Sequence, residues 1–116
     1  MRRLGTIDVC GIPYAVQAAT PDEDSGLDEV DGYMKFSARR IVISEGLGPE
    51  RTREVFLHEA LHALWAEAGL SHVINLSGGP TPDSGAAVAL EETLIRVLTP
   101  GLVRMLDSMK NLKGTK

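Results

Sequence analysis

Two histidines four positions apart, His58 and His62, are the strongest constraint on the fold of this chain. Glu59 directly follows the first of them, which gives the pattern H-E-x-x-H. In an α-helix, residues four apart lie one above the other on the same face. Both imidazoles can therefore reach one metal ion if this stretch is helical, with the glutamate beside them.

The residues around the pattern favour a metal site over a solvated helix face. Two of the three histidines in the chain lie here, among mostly apolar neighbours: Val55, Phe56, Leu57, Leu61, Leu64 and Trp65. Burying two imidazoles without partners would cost free energy, and a shared metal ion would supply a partner. The five-residue pattern also occurs by chance in unrelated proteins, so a solvated face stays open as the alternative.

Length and composition limit the class of protein. A chain of 116 residues can bury one small core, so we expect a single domain over 1–116. The net charge of −4, without a long run of Lys or Arg, argues against binding to nucleic acid or an anionic membrane. The lone Cys10 excludes an intrachain disulfide, and no segment has signal-peptide or transmembrane length. We therefore expect a cytoplasmic protein.

The order of the predicted elements indicates an α+β fold. Short β-type runs at 4–9, 14–18, 33–37 and 41–43 come first. A helix over 49–68 follows, with Pro49 in its first turn and Gly69 at its end. After a loop over 70–85, two further helices are expected at 85–98 and 101–112, separated by Pro100. The pattern predicts a small antiparallel sheet packed on the motif helix, with two C-terminal helices.

A catalytic zinc site takes three protein ligands, so His58 and His62 need a third partner. The extended metzincin pattern would require a histidine at the position of Ala68 and is excluded. We expect His72 to be a surface histidine. A carboxylate from the later helix is the better source, and periodicity there points both ways, mildly favouring Glu91 over Glu92.

Such a site implies a specific chemistry. Two imidazoles and a carboxylate suit one Zn²⁺ ion. Glu59, beside the metal, would be the catalytic base that takes a proton from the attacking water and passes it to the leaving amine. The expected reaction is peptide or amide hydrolysis.

Four segments carry a resemblance to a known family: Asp31-Gly32-Tyr33, the strand Ile41-Val42-Ile43-Ser44, the run 53–64 around the histidines, and the run 91–102. Together they resemble the minimal zincin-like metallopeptidases of phages and prophages, distant relatives of the ImmA/IrrE-type and SprT-type gluzincin-like proteins. The resemblance implies a bacterial or phage-encoded zinc peptidase acting on a peptide or protein substrate.

The resemblance also implies roles for particular residues. Glu92 is the implied third ligand, with Glu91 as the fallback or as a residue that orients a histidine. Arg96 departs from the pattern of thermolysin-type enzymes, which have an aspartate four positions after the glutamate ligand. An edge strand beside the motif helix would bind the peptide, which implies substrate contacts from Ile41, Val42 and Ile43. Tyr33 is expected to pack in the sheet rather than to donate a hydrogen bond to the oxyanion that develops during hydrolysis.

Two other functions stay open from the sequence. The first is a non-catalytic, zinc-stabilised regulatory or interaction domain of phage or prophage origin. The second is a metal-free protein whose histidine pattern is incidental. The metal content of the purified protein separates the metal-free protein from the peptidase and the zinc-stabilised domain, because both of those require stoichiometric zinc binding.

Overall fold

The computed structural model describes residues 1–114 and confirms the α+β class. Two short 3₁₀ turns, Ser25–Leu27 and Phe36–Ala38, flank the third strand. The strands and helices are β1 Arg2–Val9, β2 Ile12–Ala19, β3 Gly32–Lys35, β4 Arg40–Ser44, α1 Pro49–Glu67, α2 Leu70–Leu76 and α3 Gly85–Met109.

The four strands form one sheet in the order β1-β2-β4-β3. The outer pairs β1–β2 and β3–β4 are antiparallel hairpins, whereas the central pair β2–β4 is parallel. The prediction of a wholly antiparallel sheet is therefore wrong for the central pair. The physical reason is the segment between β2 and β3, which carries the chain to the far edge, so that β4 returns beside β2 in the same direction.

Strand β4 lies inside the sheet and is paired on both sides. Ile41, Val42 and Ile43 are all buried, at 0%, 0% and 2% exposure. The first and third belong to the core cluster that contains residues of α1, and Val42 packs on the opposite face with Leu27. The prediction that these three residues contact substrate from an edge strand is wrong, because their backbone groups already pair with β2 and β3.

Helix α1 confirms the predicted motif helix, and Gly69 follows it in the left-handed conformation with φ 65°. The other helices differ from the prediction. Residues 70–76, expected in a loop, form α2, where Ser71 accepts a hydrogen bond from the Trp65 indole at 3.0 Å. Within residues 1–114, no helix combines the length and apolar character that a membrane crossing would require.

Helix α3 is one helix of 25 residues rather than two, and it continues through Pro100. A proline removes one backbone donor but does not forbid a helix whose packing outweighs that loss. The Thr99 hydroxyl donates to Ile95 O at 2.7 Å inside the same turns, and Ile95 is buried. Farther along, Arg53 of α1 donates to Asp107 at 2.8 Å. These contacts on either side of Pro100, one within α3 and one with α1, support a continuous helix.

A polar contact ties the sheet to the end of α1. The hydroxyl of the buried Tyr14 donates to Glu67 Oε2 at 2.7 Å, and Arg39 Nε donates to the same oxygen at 3.0 Å. Burial, helped by the neighbouring Glu67 carboxylate, raises the pKa of Tyr14 to about 12. The folded state therefore favours the neutral phenol.

We predict that Tyr14→Phe lowers the free energy of unfolding at pH 7, because Glu67 loses a donor. The neutral phenol of Tyr14 contributes its full stability below pH 10, the ordinary pKa of tyrosine. This contribution is lost as the pH rises from 10 to about 12, the pKa of Tyr14 in the folded protein. The stability difference between wild type and variant should therefore shrink across this range in urea titrations. A difference that does not change with pH would contradict the assignment.

Candidate metal centre

Helices α1 and α3 bring together the three residues predicted as ligands. His58 and His62 lie on successive turns of α1, and their side chains are 23% and 17% exposed. From α3, Glu92 Oε1 lies 3.1 Å from His58 Nε2, and Glu92 Oε2 lies 2.8 Å from His62 Nε2. One potential ligand atom from each residue lies within 4.8 Å of the others.

The size and chemistry of this cluster fit a zinc ion. Tetrahedral zinc with bonds of 2.0–2.2 Å holds its ligand atoms about 3.3 Å apart. The Glu92 carboxylate lies 3.1 Å from one Nε2 and 2.8 Å from the other, through its two different oxygens, so the three side chains are close to the spacing that zinc ligands need. Two imidazoles and one carboxylate form a donor set that suits zinc and leaves a fourth position open.

Glu91 lies on the other side of the His62 ring. Its Oε2 is 2.6 Å from His62 Nδ1, whereas Glu92 faces Nε2. In the tautomer that donates Nδ1–H to Glu91, the Nε2 lone pair is available to a metal. Glu91 is therefore placed behind a histidine and outside the ligand cluster, contrary to the mild preference that helical periodicity gave it.

Glu59 stands beside the cluster without joining it. Its carboxylate is 13% exposed, and its Oε2 lies 3.9 Å from His58 Nε2. Burial raises the pKa of Glu59 to about 7, although the nearby His62 and the backbone amide of Met34 act in the opposite direction. The carboxyl group is thus largely shielded from solvent and lies next to both the histidines and β3.

The electrostatics favour the protonation states that metal binding needs. Burial raises the pKa of Glu92, but the hydrogen bond from Arg96 and the nearby histidines outweigh it, and the pKa falls below its usual value. Burial lowers the pKa of His58, in spite of the opposing effect of Glu92. An ionised carboxylate and a neutral imidazole are the forms that bind a cation.

A cavity of about 520 Å³ opens beside His58 and Glu59. Its walls come from three parts of the fold: residues 29–32, the first half of α1, and the middle of α3. Arg96 and Pro100 line it from α3, and Gly32 lines it from β3. The volume is within the range of ligand-binding pockets, so the cavity is large enough for a ligand next to the cluster.

Gly32 allows α1 to pack directly on the edge strand β3. A Cβ atom at this position would lie 2.5 Å from Val55 Cγ1 and 3.0 Å from the Val42 carbonyl oxygen. It would also lie 3.7 Å from Cγ of Glu59. The missing side chain therefore sets the distance between β3 and the residue predicted as the catalytic base. The sequence shows a glycine before a strand but not this close approach, which depends on how α1 crosses β3.

The other sequence predictions for this region concern His72 and Tyr33. His72 is exposed on α2, as predicted for a surface histidine. The Tyr33 hydroxyl donates to Asp24, and its ring packs with Leu27 and Val42. Tyr33 therefore has a structural place in the sheet.

We predict that Gly32→Ala lowers the free energy of unfolding by about 1–3 kcal/mol, because α1 must move away from β3. Gly85→Ala is the matched control: Gly85 is the first residue of α3, and a Cβ there would meet no atom within 4 Å. Urea denaturation of both variants measures the difference. Equal, small effects would contradict the close approach.

No protein-family model, no curated protein and no solved structure matches this chain. A function for this chain is therefore inferred from the arrangement of its own residues, above all from the cluster of His58, His62 and Glu92.

Proposed function

We propose that this protein is a zinc-dependent metallopeptidase of the minimal zincin type. The observation that carries the proposal is the meeting of His58 and His62, from α1, with the carboxylate of Glu92, from α3. An incidental H-E-x-x-H pattern does not require a carboxylate from a separate helix to face both Nε2 atoms. A metal site does, because it needs a third ligand at that point.

The ligands would be Nε2 of His58, Nε2 of His62 and the carboxylate of Glu92. Glu91, 2.6 Å from His62 Nδ1, would hold that ring in place. Zinc, when bound, supplies a Lewis acid that polarises the scissile carbonyl and lowers the pKa of water. Each of the three ligand residues, His58, His62 and Glu92, would bind the ion through an atom that already faces the cluster.

Glu59 is proposed as the general base. Its carboxylate lies next to His58 but outside the ligand cluster, which leaves it available to a water molecule. It would accept a proton from the water whose oxygen forms a bond to the carbonyl carbon. As the carbon–nitrogen bond breaks, the same carboxyl group would return the proton to the amine nitrogen.

The substrate is proposed to be an extended peptide that pairs with β3. This strand lies at the sheet edge and packs against α1 next to Glu59, so its outward backbone groups can pair with another strand. The adjacent cavity of about 520 Å³ would receive a side chain. In this proposal β3 has the substrate-binding role that was predicted for Ile41, Val42 and Ile43.

We also propose that the protein acts in the cytoplasm of a bacterial cell, as a bacterial or phage-encoded enzyme. Its lone cysteine, Cys10, is exposed and free, which suits a reducing compartment. The peptide or protein substrate would then be cytoplasmic.

A structural zinc role is the second candidate, and one feature of the fold favours it. Helix α3 is held chiefly by α1, and the His58, His62 and Glu92 cluster joins these two helices. An ion bound there would stabilise their packing even without turnover. This candidate corresponds to a regulatory or interaction domain that binds zinc and does not hydrolyse peptides.

We predict that the wild-type protein binds close to one zinc ion per chain. Glu92→Ala should abolish this binding, since it removes a ligand. Glu91→Ala should weaken it by about 10- to 100-fold, since it removes only the partner of His62. Calorimetric titration with zinc measures all three. Loss of zinc from the Glu91 variant with retention in the Glu92 variant would reverse the assignment.

We predict that Glu59→Gln keeps zinc affinity and loses at least about 100-fold in peptide hydrolysis, because proton transfer contributes on that scale. Glu50→Gln, an exposed acid in the first turn of the same helix, is the control and should keep full activity. The assay follows cleavage of a mixed peptide library by mass spectrometry. A wild type that binds zinc but cleaves nothing would favour the structural role.

A further inference from the structure

Arg96 contacts the cluster through Glu92. Its Nη2 donates to Glu92 Oε1 at 3.1 Å, one helical turn along α3. The same oxygen lies 3.1 Å from His58 Nε2, whereas Oε2 faces His62. The Arg96 side chain is 74% exposed and lines the cavity beside the site. Thus a guanidinium group is attached to one of the two oxygens of the proposed ligand.

We infer that Arg96 is a positioning residue that occupies Oε1 of Glu92 and leaves Oε2 as the single metal-binding atom. The inference rests on the proposed zinc site. A carboxylate that binds zinc through both oxygens takes up two coordination positions. By holding one oxygen, Arg96 keeps the position needed by water or substrate open.

Packing alone does not orient Glu92. Its side chain is 36% exposed and has several rotatable bonds, so a free carboxylate would sample other rotamers in solvent. The contacts that direct it toward the cluster are those with His58, His62 and Arg96. With an ion bound, both Nε2 atoms would contact the ion instead of the carboxylate, so Arg96 would be the one of these three side chains that still contacts Glu92 directly.

The charge of Arg96 acts in the opposite direction, because a cation repels a cation. The two effects predict opposite results for Arg96→Ala: lost orientation weakens zinc binding, and lost repulsion strengthens it. The guanidinium is mostly in solvent, where water and salt screen its field. The hydrogen bond acts directly on Oε1 at 3.1 Å, whereas the screened charge acts on an ion beyond that carboxylate. Orientation therefore dominates, and the expected loss in zinc affinity is about 10-fold.

The experiment compares the wild type with Arg96→Ala, Arg96→Lys and Arg104→Ala. Arg104 is an exposed arginine on the same helix, outside the cluster and the cavity, and serves as the matched control. Competition titration measures zinc affinity, and the visible absorption of the Co²⁺-loaded protein reports coordination number. Intensity falls as the number of ligands rises above four.

Arg96→Ala should bind zinc about 10-fold more weakly than the wild type. Its Co²⁺ bands should also weaken as Oε1 joins the metal. Arg96→Lys should fall between the wild type and the alanine variant, and Arg104→Ala should match the wild type. Zinc binding by Arg96→Ala that is as tight as in the wild type or tighter, or unchanged Co²⁺ bands, would overturn this inference alone. A wild type that binds neither ion would overturn the proposed function and this inference with it.

Discussion

The packing of α3 across α1 is the contact on which the candidate site depends. It brings the Glu92 carboxylate within 3.1 Å of two imidazoles that belong to a different helix. The same crossing places Glu91 behind His62 and leaves a cavity between the helices and β3. Because α3 is held chiefly by α1, an ion shared by both helices would strengthen the contact that creates its own site.

The local part of this arrangement could be predicted from the sequence. Residues four apart share a helix face whatever surrounds them, so His58 and His62 had to be neighbours once α1 formed. Periodicity could not decide between Glu91 and Glu92, because adjacent residues are only 100° apart on a helix. The angle at which α3 meets α1 makes the choice, and that angle is a property of tertiary packing.

The remaining differences have the same origin. A strand pattern does not say which neighbour the strand pairs with, so Ile41, Val42 and Ile43 could not be assigned to the centre of the sheet. Pro100 weakens a helix locally, but contacts on either side of it, one within α3 and one with α1, keep α3 continuous. Gly32 is visible as a glycine, while its close approach to Val55 exists only in the folded chain.

The proposed function requires that His58, His62 and Glu92 together bind one zinc ion. Crystals grown with zinc, with diffraction recorded above and below the zinc absorption edge, test it directly. We expect one anomalous peak between α1 and α3, about 2.0–2.2 Å from Nε2 of both histidines and from one oxygen of Glu92. A peak elsewhere, or one that Glu92 does not contact, would contradict it.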